Sequence, residues 1–168
     1  MNHAVIRRIL GLILLFESAF LLLPCMVAVI YREKQGLSYL AVAFICLVIG
    51  FLLTRRKNEN QMFYAKEGFV IVALSWIVMS FFGAMPYYLS GDIPDVSQAL
   101  FEAVSGFTTT GASTLSSVEV LSHCTLVWRA FTIWIGGMGV IVFLLAVLPL
   151  TGGYLSLIHI SEPTRLGM

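Results

Sequence analysis

The stretch Asp95-Val96-Ser97-Gln98-Ala99-Leu100-Phe101-Glu102-Ala103-Val104-Ser105-Gly106-Phe107, followed at once by Thr108-Thr109-Thr110-Gly111-Ala112-Ser113, decides the fold. Its first part has helical period: Val96, Ala99, Leu100, Ala103, Val104 and Phe107 recur at i, i+3, i+4, i+7, i+8 and i+11, one stripe along a helix. Glu102 falls on the face away from that stripe. Asp95 has the chemistry of an N-cap, Gln98 three residues on completes a capping-box arrangement, and Gly106 is suited to ending the helix. At 1.5 Å per residue such a helix is about 15 Å long, half of a bilayer core of about 30 Å. It reads as a re-entrant half-helix.

The second part is small, polar and non-helical, and it begins where the half-helix ends. Backbone of that kind is tolerated at membrane depth only when protein shields it or it lines a wet cavity, because each unpaired amide in lipid costs several kcal/mol. A pore satisfies this condition. Carbonyls of an extended Thr-Thr-Gly strand can replace the water shell of a dehydrated cation, and Gly111 permits the backbone angles such a strand needs. The partly negative C-terminal end of the half-helix favours a cation over an anion at the same spot.

Working outward, the flanks are apolar and nearly free of charge. Gly68 to Ser90 precedes the segment and Ala130 to Leu150 follows it, while Leu37 to Thr54 and Ile9 to Ile30 lie before both, the last interrupted only by Glu17. Each is close to the roughly 20 residues a bilayer-spanning helix requires. The expected fold is therefore all-α and integral to a membrane: four transmembrane helices, one re-entrant half-helix and an extended filter. The composition agrees, with 59% hydrophobic and 11% charged residues and a mean hydropathy of +0.93. A soluble domain would carry about a quarter charged residues. Ten Lys and Arg against nine Asp and Glu supply no basic surface for nucleic acid. Cys25, Cys46 and Cys124 are scattered thiols without metal or redox spacing.

Basic residues set the orientation, since cytoplasmic loops collect Lys and Arg. Arg7 and Arg8 precede the first span, Arg55, Arg56, Lys57 and Lys66 fill the second loop, and residues 91–127 have no basic residue at all. Arg32 and Lys34 in the first loop blunt the contrast without reversing it. The N-terminus is expected on the cytoplasmic side and residues 91–127 outside, where Asp92, Asp95, Glu102 and Glu119 concentrate cations.

Half-helix, SGFTTTGAS and a following helix containing Trp134-Ile135-Gly136-Gly137-Met138-Gly139 together resemble the membrane-pore-membrane unit of the Trk/Ktr/HKT superfamily of potassium transporters. The resemblance is strongest to its bacterial TrkH subunits, which also carry an additional helix pair before the first unit, and it covers residues 1 to about 153. It implies potassium uptake across the bacterial inner membrane, with K+ as the transported ion, no cofactor and no enzymatic activity. By the same resemblance the selectivity filter falls on Thr109, Thr110, Gly111 and Ala112, with K+ coordinated through Thr109 and Thr110. Glu102, Ser105 and Gly106 are the pore-helix support, and Gly136, Gly137 and Gly139 are packing or gating positions. It further implies a homodimer and a cytoplasmic nucleotide-binding partner of the TrkA type.

The expected organisation is an N-terminal helix pair (1–67), the first membrane-pore-membrane unit (68–153) and a non-native tail (154–168). Leu155-Ser156-Leu157-Ile158-His159-Ile160-Ser161-Glu162-Pro163-Thr164-Arg165 resembles the translation of a sequencing-library adapter. The chain is thus expected to be a truncated fragment, one pore quarter of four, that does not conduct alone.

Individual residues carry further expectations. Glu17 should face protein or a wet cavity rather than lipid. Arg129 should pair with an outer acid or snorkel to the interface, and Trp128, Tyr87 and Tyr88 look like interface anchors. Two other classes stand beside transport. One is a membrane scaffold in which the half-helix merely packs, against which the polar TTTGAS stretch argues. The other is an intramembrane hydrolase using a Thr or Ser of that stretch with His123 as base, for which no nucleophile elbow is present.

Overall fold

The computed structural model describes residues 3–55 and 65–147, and among them all regular structure is helical. Five helices follow in order: α1 (His3–Tyr31), α2 (Gly36–Thr54), α3 (Ala65–Ser90), α4 (Val96–Phe107) and α5 (His123–Val147). Met1–Gly137 form one compact unit, and Met138 begins a second, of which the described part continues α5 to Val147. Second-loop residues 56–64 and the tail 154–168 lie outside the described residues.

Among the described residues three helices are long and apolar enough to cross a membrane: His3–Tyr31, Gly36–Thr54 and Gly68–Ser90. They coincide with the first three expected spans to within a few residues. The fourth expected span is contained in α5 as far as Val147, although that helix starts earlier, at His123. Uncharged runs of this length form helices because the helix alone satisfies every backbone donor and acceptor within one segment.

α1 and α2 form an antiparallel pair crossing at two glycines. A Cβ on Gly11 would stand 2.9 Å from the Gly50 carbonyl oxygen, and one on Gly50 would stand 2.8 Å from that of Gly11. Ser18 Oγ donates to Ala43 O at 2.7 Å in the middle of the pair. At the turn, Arg32 adopts φ 56°, Arg32 N donates to Val29 O, and Glu33 N donates to Ala28 O at 2.8 Å. This is a Schellman ending with arginine where glycine is usual. Both helices contact α3, and α4 lies along α3.

Asp95 is the N-cap of α4, with φ −92°, ψ 121° and its carboxylate accepting from Ser97 N at 3.0 Å. No hydrogen bond from Gln98 completes the capping box among the described residues. The face that α4 buries also departs from expectation. Ala99, Glu102, Ala103, Ser105, Gly106 and Phe107 are buried, whereas Val96, Leu100 and Val104 are 60%, 40% and 41% exposed. Small residues let α4 lie close to its neighbours, and Glu102 turns inward because partners there satisfy its charge. Gly106 does not end the helix, which continues to Phe107. A Cβ at Gly106 would overlap Thr132 Oγ1 of α5, so the glycine serves close approach.

Candidate functional site

Phe107, the last residue of α4, is fully buried at the centre of the site. Its ring stands edge-on to Trp128 of α5, with centroids 6.4 Å apart. A Cβ at Gly83 of α3 would fall 2.6 Å from that ring, and one at Gly136 of α5 would fall 2.7 Å from the Phe107 carbonyl carbon. Two glycines therefore hold the end of the short helix between two long ones. Trp128 is no interface anchor: it is fully buried and donates Nε1–H to Gly83 O at 3.0 Å. Tyr87 is likewise buried, and of the three aromatic residues expected at an interface only Tyr88 is substantially exposed, at 48%.

Beyond Phe107 the chain folds its amides back onto α4. Thr108 N donates to Val104 O (2.9 Å), Thr109 N to Gly106 O (2.9 Å), and Thr110 N and Gly111 N both to Ser105 O (3.0 and 3.3 Å). Ser105 Oγ donates to Ala112 O at 2.6 Å, and Thr109 Oγ1 to Thr108 O at 2.7 Å. The carbonyls of Thr109, Thr110 and Gly111 accept no hydrogen bond among the described residues, and all three residues are exposed. Thr109 and Gly111 have φ of 59° and 70°, the left-handed region that glycine tolerates and threonine enters at a cost of about 1–2 kcal/mol. The segment is therefore a left-handed turn folded back onto α4 where an extended strand was expected, because Ser105 O and Gly106 O draw its amides in; the carbonyls of Thr109, Thr110 and Gly111 are left as acceptors of the kind that coordinate a cation.

The exit of this segment is fastened by a charge pair. Glu102, 1% exposed, accepts from Ser113 Oγ at 2.5 Å and Thr114 N at 3.0 Å through one oxygen, and from Arg129 Nε at 2.9 Å through the other. Arg129 is thereby held on the Glu102 carboxylate, the first of its two expected alternatives. Glu102 also comes from its expected outward face to the interior. Ser105 and Gly106, the other expected supports, lie at the carbonyl that receives the loop amides and at the α5 contact. Gly137 stands behind Thr109, 3.9 Å from its Cγ2 when given a Cβ, and Gly139 lies two residues further along α5.

A second set of contacts ties the helix pair to this region. Asp92 accepts from Ser122 through N (3.3 Å) and Oγ, and from Thr125 Oγ1 at 2.5 Å. Tyr39 OH of α2 donates to Thr125 at 2.8 Å. Glu33 caps the start of α5, accepting from His123 N (2.9 Å), Cys124 N (3.1 Å) and His123 Nδ1 (2.8 Å). Partial burial works against its charge, but the donors from Cys124 and His123 outweigh that and hold the Glu33 carboxyl down at about 2. His123, stacked on Tyr31 at 4.1 Å, is engaged with Glu33, and Ser113 with Glu102. Glu33 was the residue that sequence reasoning did not place, whereas Arg129 was expected to pair with an acid without the acid being named. Arg129 carried a faint signal, as the one basic residue near an acid in an otherwise apolar unit.

Three long apolar helices and a half-length helix, followed by a loop in which the carbonyls of Thr109, Thr110 and Gly111 are unbonded, have the character of a helical membrane protein. Comparison with known proteins identifies which. A model of the TrkH family, described as cation transport protein, matches residues 37–159, and the chain belongs to that family. It is 39% identical over 156 residues to the Trk system potassium uptake protein TrkH of Escherichia coli K12, covering 90% of this chain and 32% of that protein. It is 38% identical over 157 residues to an uncharacterised cation transporter of Methanocaldococcus jannaschii, covering 94% and 33%. Its structure matches the crystal structure of the potassium transporter TrkH from Vibrio parahaemolyticus with a TM-score of 0.83 and 34% identity, over 89% of this chain and 32% of that one. The chain thus spans about a third of the length of the curated relatives it matches.

Proposed function

We propose that this chain forms the N-terminal helix pair (1–67) and first membrane-pore-membrane unit (68–153) of a potassium-uptake protein of the bacterial inner membrane. In this reading α1, α2, α3 and α5 span the bilayer with the N-terminus inside, and α4 enters from outside and stops halfway. Of the filter positions Thr109, Thr110, Gly111 and Ala112, the first three supply one quarter of a ring of carbonyls that replaces the hydration shell of K+, while the Ala112 carbonyl accepts from Ser105 Oγ and anchors the segment. Glu102, Ser105 and Gly106 hold that quarter in place, Gly136 and Gly137 let α5 back it closely, and Gly139 is a further packing or gating position on the same helix. The complete transporter is a homodimer regulated by a cytoplasmic nucleotide-binding subunit of the TrkA type, and the present segment does not conduct by itself.

The observation that carries the reading is the loop after Phe107. Its amides at Thr109, Thr110 and Gly111 are bonded to Gly106 and Ser105, so its carbonyls are the groups left to meet an ion. Relatives named as potassium uptake proteins support K+ as that ion. The test is a chimera in which residues 1–147 replace the matching segment of the Escherichia coli relative in a strain lacking potassium uptake. Rubidium-tracer uptake is expected in the chimera and lost on Gly111→Asp. Uptake unaffected by Gly111→Asp would remove the filter assignment, and a correctly inserted chimera without uptake would remove the transport reading.

A further inference from the structure

A groove of about 480 Å³ runs along the seam of α1 and α2, away from the pore segment. Its walls are Leu37, Leu40, Ala41, Phe44 and Leu47 of α2 and Leu22 of α1. The polar wall residue Ser18 is already bonded to Ala43 O, so the lining offers an occupant only apolar contact. Leu37 is 73% and Phe44 66% exposed. From Leu37 to Leu47 the groove follows α2 for ten residues, about 15 Å at 1.5 Å per residue, which is the depth of one leaflet of a core of about 30 Å.

Charge sits at one end of the groove only. Arg32 and Lys34 lie in the α1–α2 connection, immediately before Leu37. Both are exposed, and neither forms an ion pair among the described residues. The acid between them, Glu33, is drawn off to the start of α5 by His123 and Cys124, which leaves two uncompensated positive charges at the mouth. Arg32 moreover holds a left-handed backbone angle that glycine would adopt without strain.

We infer that this groove is a binding site for an anionic phospholipid, with an acyl chain lying along α2 from Leu37 to Leu47 and the phosphate met by Arg32 and Lys34. The match of groove depth to leaflet depth and of cationic mouth to anionic headgroup carries the assignment. It rests on the reading of α1 and α2 as bilayer spans. A zwitterionic headgroup offers the same phosphate but brings its own ammonium against the two cations, and a second copy of this chain would bring the same cations against its own.

The test uses the full chain purified from nanodiscs and examined by native mass spectrometry. Wild-type protein is expected to retain one phosphatidylglycerol in preference to phosphatidylcholine. Arg32→Gln/Lys34→Gln is expected to reduce that retention about tenfold or more, given the attraction of each basic residue for anionic lipid. Ala41→Trp, which fills the groove, should abolish it for both lipids. The charge variant changes only exposed side chains, so it keeps the test valid if Ala41→Trp fails to fold. Equal retention of the two lipids, or retention untouched by the charge variant, would overturn the headgroup assignment. Cross-linking between copies of the Phe44→Cys variant through its introduced thiol, with no lipid retained, would overturn the site in favour of a protein partner. Failure of the chain to enter nanodiscs at all would overturn instead the spanning reading on which the site depends.

Discussion

The ion pair behind the loop after Phe107 sets up the sharpest experiment. Glu102 is 1% exposed and the Arg129 side chain 19% exposed, and their contact is a single Nε–carboxylate bond of 2.9 Å. Glu102→Gln keeps an oxygen for Ser113 and Thr114 but turns an amide N–H2 toward Arg129 Nε, donor against donor. Arg129→Met leaves the carboxylate buried with no counter-charge. Breaking a buried pair by removing one partner costs about 3–5 kcal/mol. Arg129→Met belongs at the upper end because Glu102 is the more deeply buried member, and Glu102→Gln at the lower end because Arg129 retains some access to solvent. The double variant Glu102→Gln/Arg129→Met carries no buried charge and keeps the Ser113 and Thr114 bonds, so it should cost only about 1–2 kcal/mol. Reversible unfolding in mixed detergent micelles measures all three, and the cycle should return a coupling of about 3 kcal/mol or more. If both single variants lie within about 1 kcal/mol of wild type and add in the double, the pair does not hold the loop.

Two further outcomes follow from the same geometry. Gly136→Ala places a Cβ against the Phe107 carbonyl, which as backbone cannot step aside, and should destabilise by about 1–3 kcal/mol; Gly137→Ala, with Thr109 Cγ2 at 3.9 Å, should be near neutral in the same unfolding assay. The carboxyl of Glu33 is held at about 2 against an ordinary value of about 4.3. A depressed folded-state value means stability present above the ordinary value and lost as pH falls from about 4.5 toward about 2. Thermal unfolding between pH 6 and pH 3 should therefore decline more steeply in wild type than in Glu33→Gln; parallel curves would show that the carboxylate cap on α5 contributes nothing.

Much of this architecture was legible in one dimension. Uncharged runs of about the membrane's thickness located α1, α2 and α3 and the body of α5, because a helix is the spanning structure whose hydrogen bonds are all internal. Asp95 announced the start of α4, since a carboxylate before a periodic apolar run satisfies orphan amides. The small polar residues after Phe107 marked the loop in which the carbonyls of Thr109, Thr110 and Gly111 are left unbonded among the described residues. In each case the physics is local: period, length and capping act within a dozen residues.

What the tertiary structure decided is everything that depends on a partner distant along the chain. Of the apolar stripe from Val96 to Phe107 only Ala99, Ala103 and Phe107 are buried, and α4 turns Glu102 and Gly106 inward beside them, because Arg129 lies 27 residues on and Thr132 presses close. Trp128 carries an indole that reads equally well at a membrane surface, and only the Gly83 carbonyl opposite it settles its burial. Glu33 gains its role from His123 across 90 residues. Periodicity records that a helix has an apolar side; which side is buried depends on where charge is neutralised and where backbones approach, and those are properties of neighbours in space.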